Sequence, residues 1–289
     1  MSIKQSILKV IKYFAVFAYQ PTSNEIYSFL EYKISRSSFE KELKKLPKYT
    51  PPQYSIKRIK NSKKKLENWR FRAYIKLISL FPQIKLVGLS GSISMMNARE
   101  EDDIDLFIIT AKNRLFTGRL VALALAQLLR LRRNRNSKTQ FLSQRGPLHP
   151  ESEKIAFSSS HKDKVCLNLF FDERDLKVPK FKQTEFVGHE VLQMKPIIVK
   201  GDVYRKFLEG NKWVFRLFPN AKNNSEFRIQ NSESIHNFKF IILNFGRKIE
   251  LILKKIQLNS INKHRTTEII TSSQLWFHPD DFERKLKLK

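Results

Sequence analysis

Two strand-like segments dominate the sequence: Leu86-Val-Gly-Leu-Ser-Gly-Ser92 and, ten residues later, Asp103-Ile-Asp-Leu-Phe-Ile-Ile109. The pattern predicts a strand, a Gly-Ser turn that opens a helix, and a second strand that carries two carboxylates. Because side chains alternate between the faces of a strand, Asp103 and Asp105 are expected on one face, with the hydrophobic residues between and after them in a core. Asp102 is expected on the opposite side, exposed to solvent.

The two aspartates predict a site for a divalent cation. Two carboxylates about 4 Å apart repel by about 4 kcal/mol at an effective dielectric of roughly 20, and a cation bound by oxygen ligands offsets that repulsion. The turn at Gly91 and Ser92 offers backbone N–H groups at the start of a helix and a hydroxyl, a combination suited to phosphate. Together these residues predict a nucleotidyl-transfer site. A surface turn followed by an acidic loop is the alternative interpretation.

This arrangement resembles the motif of the DNA polymerase β-like nucleotidyltransferase superfamily, which includes kanamycin nucleotidyltransferases, CCA-adding enzymes and minimal nucleotidyltransferases. The matching residues are Gly91, Ser92, Asp103 and Asp105. The resemblance implies that Asp103 and Asp105 bind two Mg²⁺ ions, or Mn²⁺ in their place. It also implies that Gly91 and Ser92 hold the β- and γ-phosphates of a nucleoside triphosphate such as ATP, with help from a nearby Lys or Arg. An acceptor hydroxyl or phosphate would then attack the α-phosphorus.

Members of the superfamily also carry a third carboxylate on a later strand, and the matching strand is predicted over 164–171. Alternation places Cys166, Asn168 and Phe170 on one face, so that Asn168 occupies the expected carboxylate position. An amide oxygen can coordinate a metal ion, but it cannot accept a proton at neutral pH. Asn168 therefore belongs to the predicted catalytic set and departs from the family pattern.

This departure leaves three interpretations open. Another residue is the general base, and Asp172, Glu173 and Glu190 are the nearest acidic residues in the sequence. Alternatively, the nucleophile is already anionic, or the domain binds nucleotide without turning it over. His189 and Glu190 could line the site, although ordinary polar positions on a helix over 185–195 are the preferred interpretation.

The order of segments along the whole chain resembles a group of small bacterial nucleotidyltransferase-domain proteins with a winged-helix-like N-terminus. The later segments that carry this resemblance are Val165-Cys-Leu-Asn-Leu-Phe-Phe171, His189-Glu-Val-Leu-Gln-Met-Lys-Pro196 and Phe277-His-Pro279. The resemblance implies no particular acceptor, and the oligomeric state is not indicated.

Three short helices are expected at the N-terminus. Apolar residues at helical spacing predict the first over 3–19. Two pairs with capping-box spacing predict helices over 23–32 and 38–46, namely Thr22 with Glu25 and Ser37 with Glu40.

The segment that follows these helices, Tyr49–Arg58, contains a proline pair and is interpreted as the wing of a winged helix. Such a domain either binds nucleic acid or packs against its neighbour. The predicted domains are a winged-helix-like domain over 1–60, a nucleotidyltransferase core over 61–200, and a helical C-terminal region over 201–289.

Further helices are predicted over 60–82, 115–131, 202–218 and 235–258. The first of these has an apolar stripe interpreted as a packing face, with contact to nucleic acid as the alternative: Trp69, Phe71, Tyr74, Leu77 and Ile78. The last has a stripe interpreted as core, with a membrane surface as the alternative: Phe238, Ile241, Phe245, Ile249, Ile252 and Ile256.

The composition is typical of a globular protein, because 41% of the 289 residues are hydrophobic and 12% are aromatic. A single cysteine, Cys166, excludes an intrachain disulfide, and the lack of a secretory leader pattern predicts a cytoplasmic protein. The longest apolar run, Leu115–Leu131, contains Arg119 and Gln127 and predicts a buried helix rather than a transmembrane segment.

The chain is strongly basic, with 55 Lys and Arg residues against 27 Asp and Glu residues and a formal net charge of +28. Such an excess attracts polyanions and leaves nucleic acid open as a partner. The alternative is compositional bias, because Lys, Asn, Ile and Phe are abundant together. Dense clusters occur at Lys57–Lys65 and Arg130–Arg135. If nucleic acid binds, Lys63, Lys64 and Lys65 are expected to contact phosphates.

The sequence thus predicts an α/β (α+β) protein with a small mixed sheet, a winged-helix-like N-terminus and a helical C-terminal region. The predicted activity is metal-dependent transfer of a nucleoside monophosphate from a triphosphate to an acceptor that the sequence does not identify. A catalytically silent nucleotide-binding protein and a winged-helix regulator that binds nucleic acid are the alternatives.

Overall fold

A computed structural model of the chain describes residues 2–46, 53–133, 162–221, 247–263 and 267–277. This part of the chain combines helices with one six-stranded mixed sheet, which confirms the α/β (α+β) class. The helices are α1 (Ile3–Val16), α2 (Ser23–Ser28), α3 (Arg36–Leu43), α4 (Gln53–Glu67), α5 (Trp69–Ser79), α6 (Gly91–Ser94), α7 (Leu115–Leu128), α8 (Glu185–Gln193), α9 (Val203–Gly210), α10 (Val214–Leu217) and α11 (Arg247–Asn262). The strands are β1 (Ile84–Leu89), β2 (Ile104–Thr110), β3 (Val165–Asp172), β4 (Lys195–Val199), β5 (Ile269–Ile270) and β6 (Gln274–Trp276).

The strand order is β4-β1-β2-β3-β6-β5, and β2 pairs in parallel with β3 whereas the other neighbours are antiparallel. Because β1 runs against β2, the end of β1 meets the beginning of β2, as the pairing of Leu89 with Leu106 shows. The beginning of β3 lies at the same edge, where Asp105 pairs with Cys166. The Gly-Ser turn and the starts of both parallel strands therefore lie at the same edge of the sheet.

The N-terminal helices begin where side-chain oxygens cap their first turns. Thr22 and Glu25 form the predicted capping box of α2. The predicted pair Ser37 and Glu40 is wrong as a cap, because α3 begins earlier and Ser35 accepts the hydrogen bond from the Ser38 N–H. Ser and Thr suit several neighbouring N-cap positions equally, so spacing alone did not fix this boundary.

The single basic helix predicted over 60–82 is instead two helices, α4 and α5, separated at Asn68. The Asn68 side chain accepts a hydrogen bond from the Arg70 N–H and caps α5. Residues 53–58, predicted as part of the wing, lie in α4, and residues 49–52 of the predicted wing fall outside the described residues. The winged-helix interpretation therefore stays a prediction for a segment that is helical in its described part.

Both faces of the sheet are covered. One hydrophobic cluster joins the N-terminal helices and α8–α10 to a sheet face that includes Phe107 and Phe171. The other joins α5 and α7 to the opposite face, which includes Ile108 and Phe170. Phe71, Tyr74 and Ile78 are buried in this second cluster, which confirms the packing interpretation for those residues, whereas Trp69 is exposed.

The helix predicted over 115–131 is confirmed as α7, which ends at Leu128. Its N-terminus is stabilised by Glu250 of α11, whose carboxylate accepts hydrogen bonds from the Phe116 N–H at 2.8 Å and the Thr117 N–H at 3.0 Å, and also from the Thr117 hydroxyl. A carboxylate at this position satisfies N–H groups that have no partner within the helix.

The helix predicted over 235–258 is confirmed in its described part by α11, but the core interpretation of its apolar stripe is wrong there. Ile249, Ile252 and Ile256 are exposed rather than core residues, and Phe238, Ile241 and Phe245 lie outside the described residues. The C-terminal region is also not purely helical, because the short strands β5 and β6 extend the sheet beside β3. Among the described residues, no helix has both the length and the apolar character needed to cross a bilayer.

Candidate functional site

The turn after β1 depends on a glycine. Gly91 has a φ of +60°, a left-handed conformation that residues with a Cβ rarely adopt. A Cβ at this position would lie 2.8 Å from Oδ2 of Asp105, closer than real Cβ contacts. The Ser90 N–H donates to the Asp105 carbonyl oxygen at 3.1 Å, which holds the turn against β2. Gly91 is therefore fixed both by backbone conformation and by space for a carboxylate.

Asp103 and Asp105 occupy the predicted alternate positions. Ile104 and Leu106 are buried, whereas the two aspartates are half-buried, so the alternation in this segment is confirmed. The expectation that Asp102 is solvated is wrong. Its Oδ2 accepts hydrogen bonds from the Ser92 hydroxyl at 3.2 Å and the Arg99 N–H at 2.8 Å, because the loop folds back over the first turn of α6.

Strand β3 contains an irregularity that the sequence pattern did not predict. Leu106 pairs with Leu167, but the next residue, Phe107, pairs with Leu169, so Asn168 is an extra residue in β3. A bulge shifts the alternation of every residue that follows it. Phe170 consequently joins the core on the opposite face, which corrects the prediction that Cys166, Asn168 and Phe170 share one face.

Two side chains before this shift face the aspartates. The side-chain amide of Asn168 donates to Oδ1 of Asp105 at 3.4 Å, and the backbone carbonyl oxygen of Asn168 accepts from the Phe277 N–H at 2.9 Å. Cys166 is 3% exposed and is the direct strand partner of Asp105. The thiol sulfur and one carboxylate oxygen each of Asp103 and Asp105 lie within 4.8 Å of one another. Asn168 thus lies beside the carboxylates as predicted, and Cys166 joins it.

Among the residues that the structure describes, Arg133 is the cationic side chain that contacts this cluster. Its Nη1 donates to Oδ2 of Asp103 at 3.0 Å and to Sγ of Cys166 at 3.4 Å. The sequence placed Arg133 in a dense basic cluster, and nothing in that pattern singled it out. The guanidinium neutralises part of the negative charge that the two aspartates bring together.

The surroundings of Asp105 favour the protonated form of its carboxyl group. Its burial, followed by the charges of Asp103 and Glu190, raises the pKa of Asp105 well above its ordinary range. Burial also raises the pKa of the Cys166 thiol, and the nearby aspartates add to this effect. A bound divalent cation would reverse both tendencies, because it stabilises the ionised forms of its ligands.

Glu190 is the only one of the three acidic residues considered as substitute bases that the structure brings to this site. It accepts a hydrogen bond from the Gly91 N–H at 3.4 Å, and burial raises its pKa to about 7. Asp172 is fully buried, and its carboxylate accepts hydrogen bonds from the Asn113 N–H and from the N–H and guanidinium of Arg174. Glu173 instead lies 3.8 Å from the amine of Lys206.

His189 packs away from the cluster. Its ring stacks between Tyr13 at 3.9 Å and Phe29 at 4.1 Å, measured between ring centroids. Burial lowers the pKa of His189 to about 3, so the ring is neutral at physiological pH. The structure therefore separates these two neighbours in sequence: Glu190 lies beside the Gly-Ser turn, and His189 joins α8 to the N-terminal helices.

Lys65 is a buried residue that binds the loops next to the site. The prediction that it contacts phosphates is wrong. It is 3% exposed, and its amine donates to the carbonyl oxygens of Glu100 at 2.8 Å and Asp102 at 2.6 Å and to the Asp163 carboxylate at 2.9 Å. Lys65 therefore ties together the loops that enter β2 and β3 and is not available to contact phosphates. Lys63, by contrast, is exposed, as is Lys64.

Comparison of the chain with models of protein families, with curated proteins and with solved structures finds no match. The roles of the site residues therefore depend on the geometry described above and on the motif in the sequence.

Proposed function

We propose that the chain is a metal-dependent nucleotidyltransferase. The observation that supports this most strongly is the close approach of Gly91 to Asp105, because it puts the Gly-Ser turn directly against a pair of carboxylates at one edge of the sheet. The pair suits a divalent cation that prefers oxygen ligands, because one carboxylate oxygen of Asp103 and one of Asp105 lie within 4.8 Å of each other. Asp103 and Asp105 hold Mg²⁺ or Mn²⁺ in this proposal, and the cation stabilises the negative charge of the phosphates.

The proposed substrate is a nucleoside triphosphate, whose β- and γ-phosphates lie at Gly91 and Ser92. In the reaction, an acceptor oxygen forms a bond to the α-phosphorus, the bond to the bridging oxygen of the β-phosphate breaks, and pyrophosphate leaves. The guanidinium of Arg133 lies against the carboxylates, with its Nη1 3.0 Å from Asp103. Arginine binds phosphate oxygens well, so Arg133 is the proposed cationic residue for the triphosphate.

The proton of an acceptor hydroxyl needs a base, and Asn168 cannot supply one. Glu190 fits this role in the proposal, because it lies beside Gly91 and its pKa of about 7 is close to the operating pH of a general base. An acceptor that is already anionic, such as a phosphate, would need no base.

A catalytically silent nucleotide-binding protein is the second candidate. Asn168 and Cys166 both face Asp105 where a third carboxylate was expected, and this substitution favours binding without turnover. Nucleic acid stays a proposed partner, supported by the net charge of +28 and by the exposed lysines of α4, which are Lys57, Lys60, Lys63 and Lys64.

The first experiment measures binding. Unfolding is followed by heat for the wild type, Asp103→Asn and Asp105→Asn, each with Mg²⁺ and each of the four triphosphates. Glu101→Gln is the matched control, because Glu101 is an exposed acidic residue of the same loop. A ligand at tenfold excess over its dissociation constant stabilises by about 1.4 kcal/mol. The proposal expects this stabilisation in the wild type and the control and its loss in both Asn variants; equal behaviour of all four proteins would refute it.

The second experiment separates an enzyme from a silent relative. Triphosphates labelled at the α-phosphate are incubated with the protein, Mg²⁺ and either the small-molecule or the RNA fraction of a cell extract, and transferred label is identified by an open mass search. Label transfer that requires Asp105 supports the enzyme. Binding without transfer supports the silent protein, and in that case Asn168→Asp tests the missing carboxylate, since general-base assistance contributes on the order of 10²–10⁴-fold.

A further inference from the structure

We propose that Cys166 is a direct ligand of the metal site, so that the site prefers a divalent cation that accepts sulfur, such as Zn²⁺, over Mg²⁺. This inference rests on the proposed metal site at Asp103 and Asp105 and adds a third ligand to it. It changes the class of cation, because a site with oxygen ligands alone suits Mg²⁺, whereas thiolate ligands favour softer metals.

The distances allow this ligand set. The Cys166 sulfur and the two carboxylate oxygens lie within 4.8 Å of one another. Two ligands of a tetrahedral zinc ion, at about 2.3 Å for sulfur and about 2.1 Å for oxygen, are roughly 3.6 Å apart. Modest rotations of the two carboxylates therefore bring all three groups to one ion. Three protein ligands leave a fourth position for a phosphate oxygen, the pattern of catalytic rather than structural zinc sites.

A cation already bridges these groups in the protein. The Arg133 guanidinium donates from one nitrogen to both Asp103, at 3.0 Å, and Cys166, at 3.4 Å. The position between the carboxylate and the sulfur is therefore one that attracts positive charge. Cys166 is 3% exposed, and its strand pairing with Asp105 points both side chains to the same side of the sheet. When a divalent cation binds, the thiol proton is released to solvent and Arg133 withdraws towards the phosphates.

The bulge in β3 keeps Phe170 off the side of the strand that carries Cys166. The extra residue, Asn168, follows Cys166 after one further residue and shifts the later part of the strand to the opposite face. Cys166 pairs with Asp105 in the regular register before the bulge, whereas Phe170, after the bulge, enters the core on the opposite face. Without this shift, the bulky Phe170 would lie on the same side of the strand as the proposed ligands.

The test uses Co²⁺ and Cd²⁺ as probes of the full chain. Because the chain contains a single cysteine, any sulfur-to-metal charge-transfer absorption reports on Cys166 alone. We expect this absorption when Co²⁺ is added to the wild type and its loss in Cys166→Ser. In the same variant we expect the affinity for Cd²⁺ to fall by about tenfold or more and the affinity for Mg²⁺ to change little, since even an indirect metal contact is typically worth about 10–100-fold in affinity.

Two outcomes overturn the inference: Co²⁺ that binds the wild type without a charge-transfer band, or Cys166→Ser that binds Cd²⁺ as tightly as the wild type. The wild-type spectrum decides the matter even if Cys166→Ser folds poorly. Asp105→Asn separates this inference from the proposed function. If Mn²⁺ binding needs Asp105 but no sulfur band appears, only the role of Cys166 is refuted. If cation binding does not occur or does not need Asp105, the metal site itself is refuted, and Cys166 with it.

Discussion

Replacement of Gly91 by alanine tests the geometry of the site most directly. At this position the backbone has a φ of +60°, and an added Cβ would lie 2.8 Å from Oδ2 of Asp105. Ordinary contacts of a Cβ begin at 3.4 Å, so the carboxylate would have to retreat by the difference, 0.6 Å. Metal–ligand distances tolerate shifts of about 0.2 Å. Gly91→Ala should therefore weaken cation binding at Asp105 by roughly tenfold or more.

Gly201→Ala is the matched control. Gly201 has a φ of +65°, almost the same as that of Gly91, but nothing lies within 4 Å of an added Cβ. Both variants incur the same backbone cost, about 1–2 kcal/mol for a left-handed residue with a Cβ. In a protein of this size, that corresponds to a decrease in Tm of roughly 3–6 °C. Since a carboxylate can rotate, the two variants should lose similar stability and differ in metal binding.

The assay is Mn²⁺ binding, followed by electron paramagnetic resonance of the free ion and by the shift in Tm that Mn²⁺ produces. At tenfold excess over the dissociation constant, the wild type and Gly201→Ala should each gain about 1.4 kcal/mol. Gly91→Ala should gain much less. Equal Mn²⁺ affinity in the two alanine variants would show that the space beside Asp105 is not reserved for a metal ligand, and the reasoning would then be wrong.

Three other perturbations have defined outcomes. Lys65→Met should lose about 2–4 kcal/mol of unfolding free energy, because two backbone carbonyls and a carboxylate lose the hydrogen bonds from a buried amine. Lys63→Met, at an exposed position of the same helix, should change the unfolding free energy by no more than about 0.5 kcal/mol. Equal losses in the two variants, measured by denaturant titration, would refute the structural role of Lys65. Arg133→Gln should raise Mn²⁺ affinity about fivefold in the absence of nucleotide, since it removes a competing cation. The same variant should weaken triphosphate binding. A fall in Mn²⁺ affinity would contradict this prediction. For Glu190, the pKa of about 7 in the folded protein exceeds the ordinary glutamate value of 4.5, so the folded state binds more protons than the unfolded state between these values. Glu190 should therefore contribute a fall in stability of roughly 1–3 kcal/mol as pH rises from about 4.5 to about 7 without divalent cations, and the fall measured by thermal unfolding should be smaller by this amount in Glu190→Gln.

The sequence by itself determined the local parts of the site. Alternation in β2 placed Asp103 and Asp105 on the side away from Ile104 and Leu106, because the two faces of a strand differ in burial and the period is two residues. The Gly-Ser turn was equally local, since a left-handed turn favours glycine. The capping box of Thr22 and the packing stripe of α5 follow from contacts between residues three or four apart, which sequence spacing reports directly.

Short strands and helix breaks were harder to predict. Strands β5 and β6 span only two and three residues, too few to show a period, and they exist because β3 offers a free edge. The break at Asn68 divides the helix predicted over 60–82 into α4 and α5. The spacing of apolar residues along the sequence does not show where one helix axis ends and another begins. Likewise, Lys65 belongs to a run of lysines, and only the loops packed above it distinguish it from its exposed neighbours.

Only the tertiary structure decided how the rest of the site is assembled. Asn168 contacts Asp105 across 63 residues, Arg133 contacts Asp103 across 30, and Glu190 contacts Gly91 across 99. The bulge at Asn168, which puts Phe170 on the face opposite Cys166, is a mismatch between two paired strands, so neither strand shows it alone. Local sequence patterns record which face of an element is buried. Which charged groups then meet depends on strand pairing and packing, because these contacts join residues that are far apart in the chain.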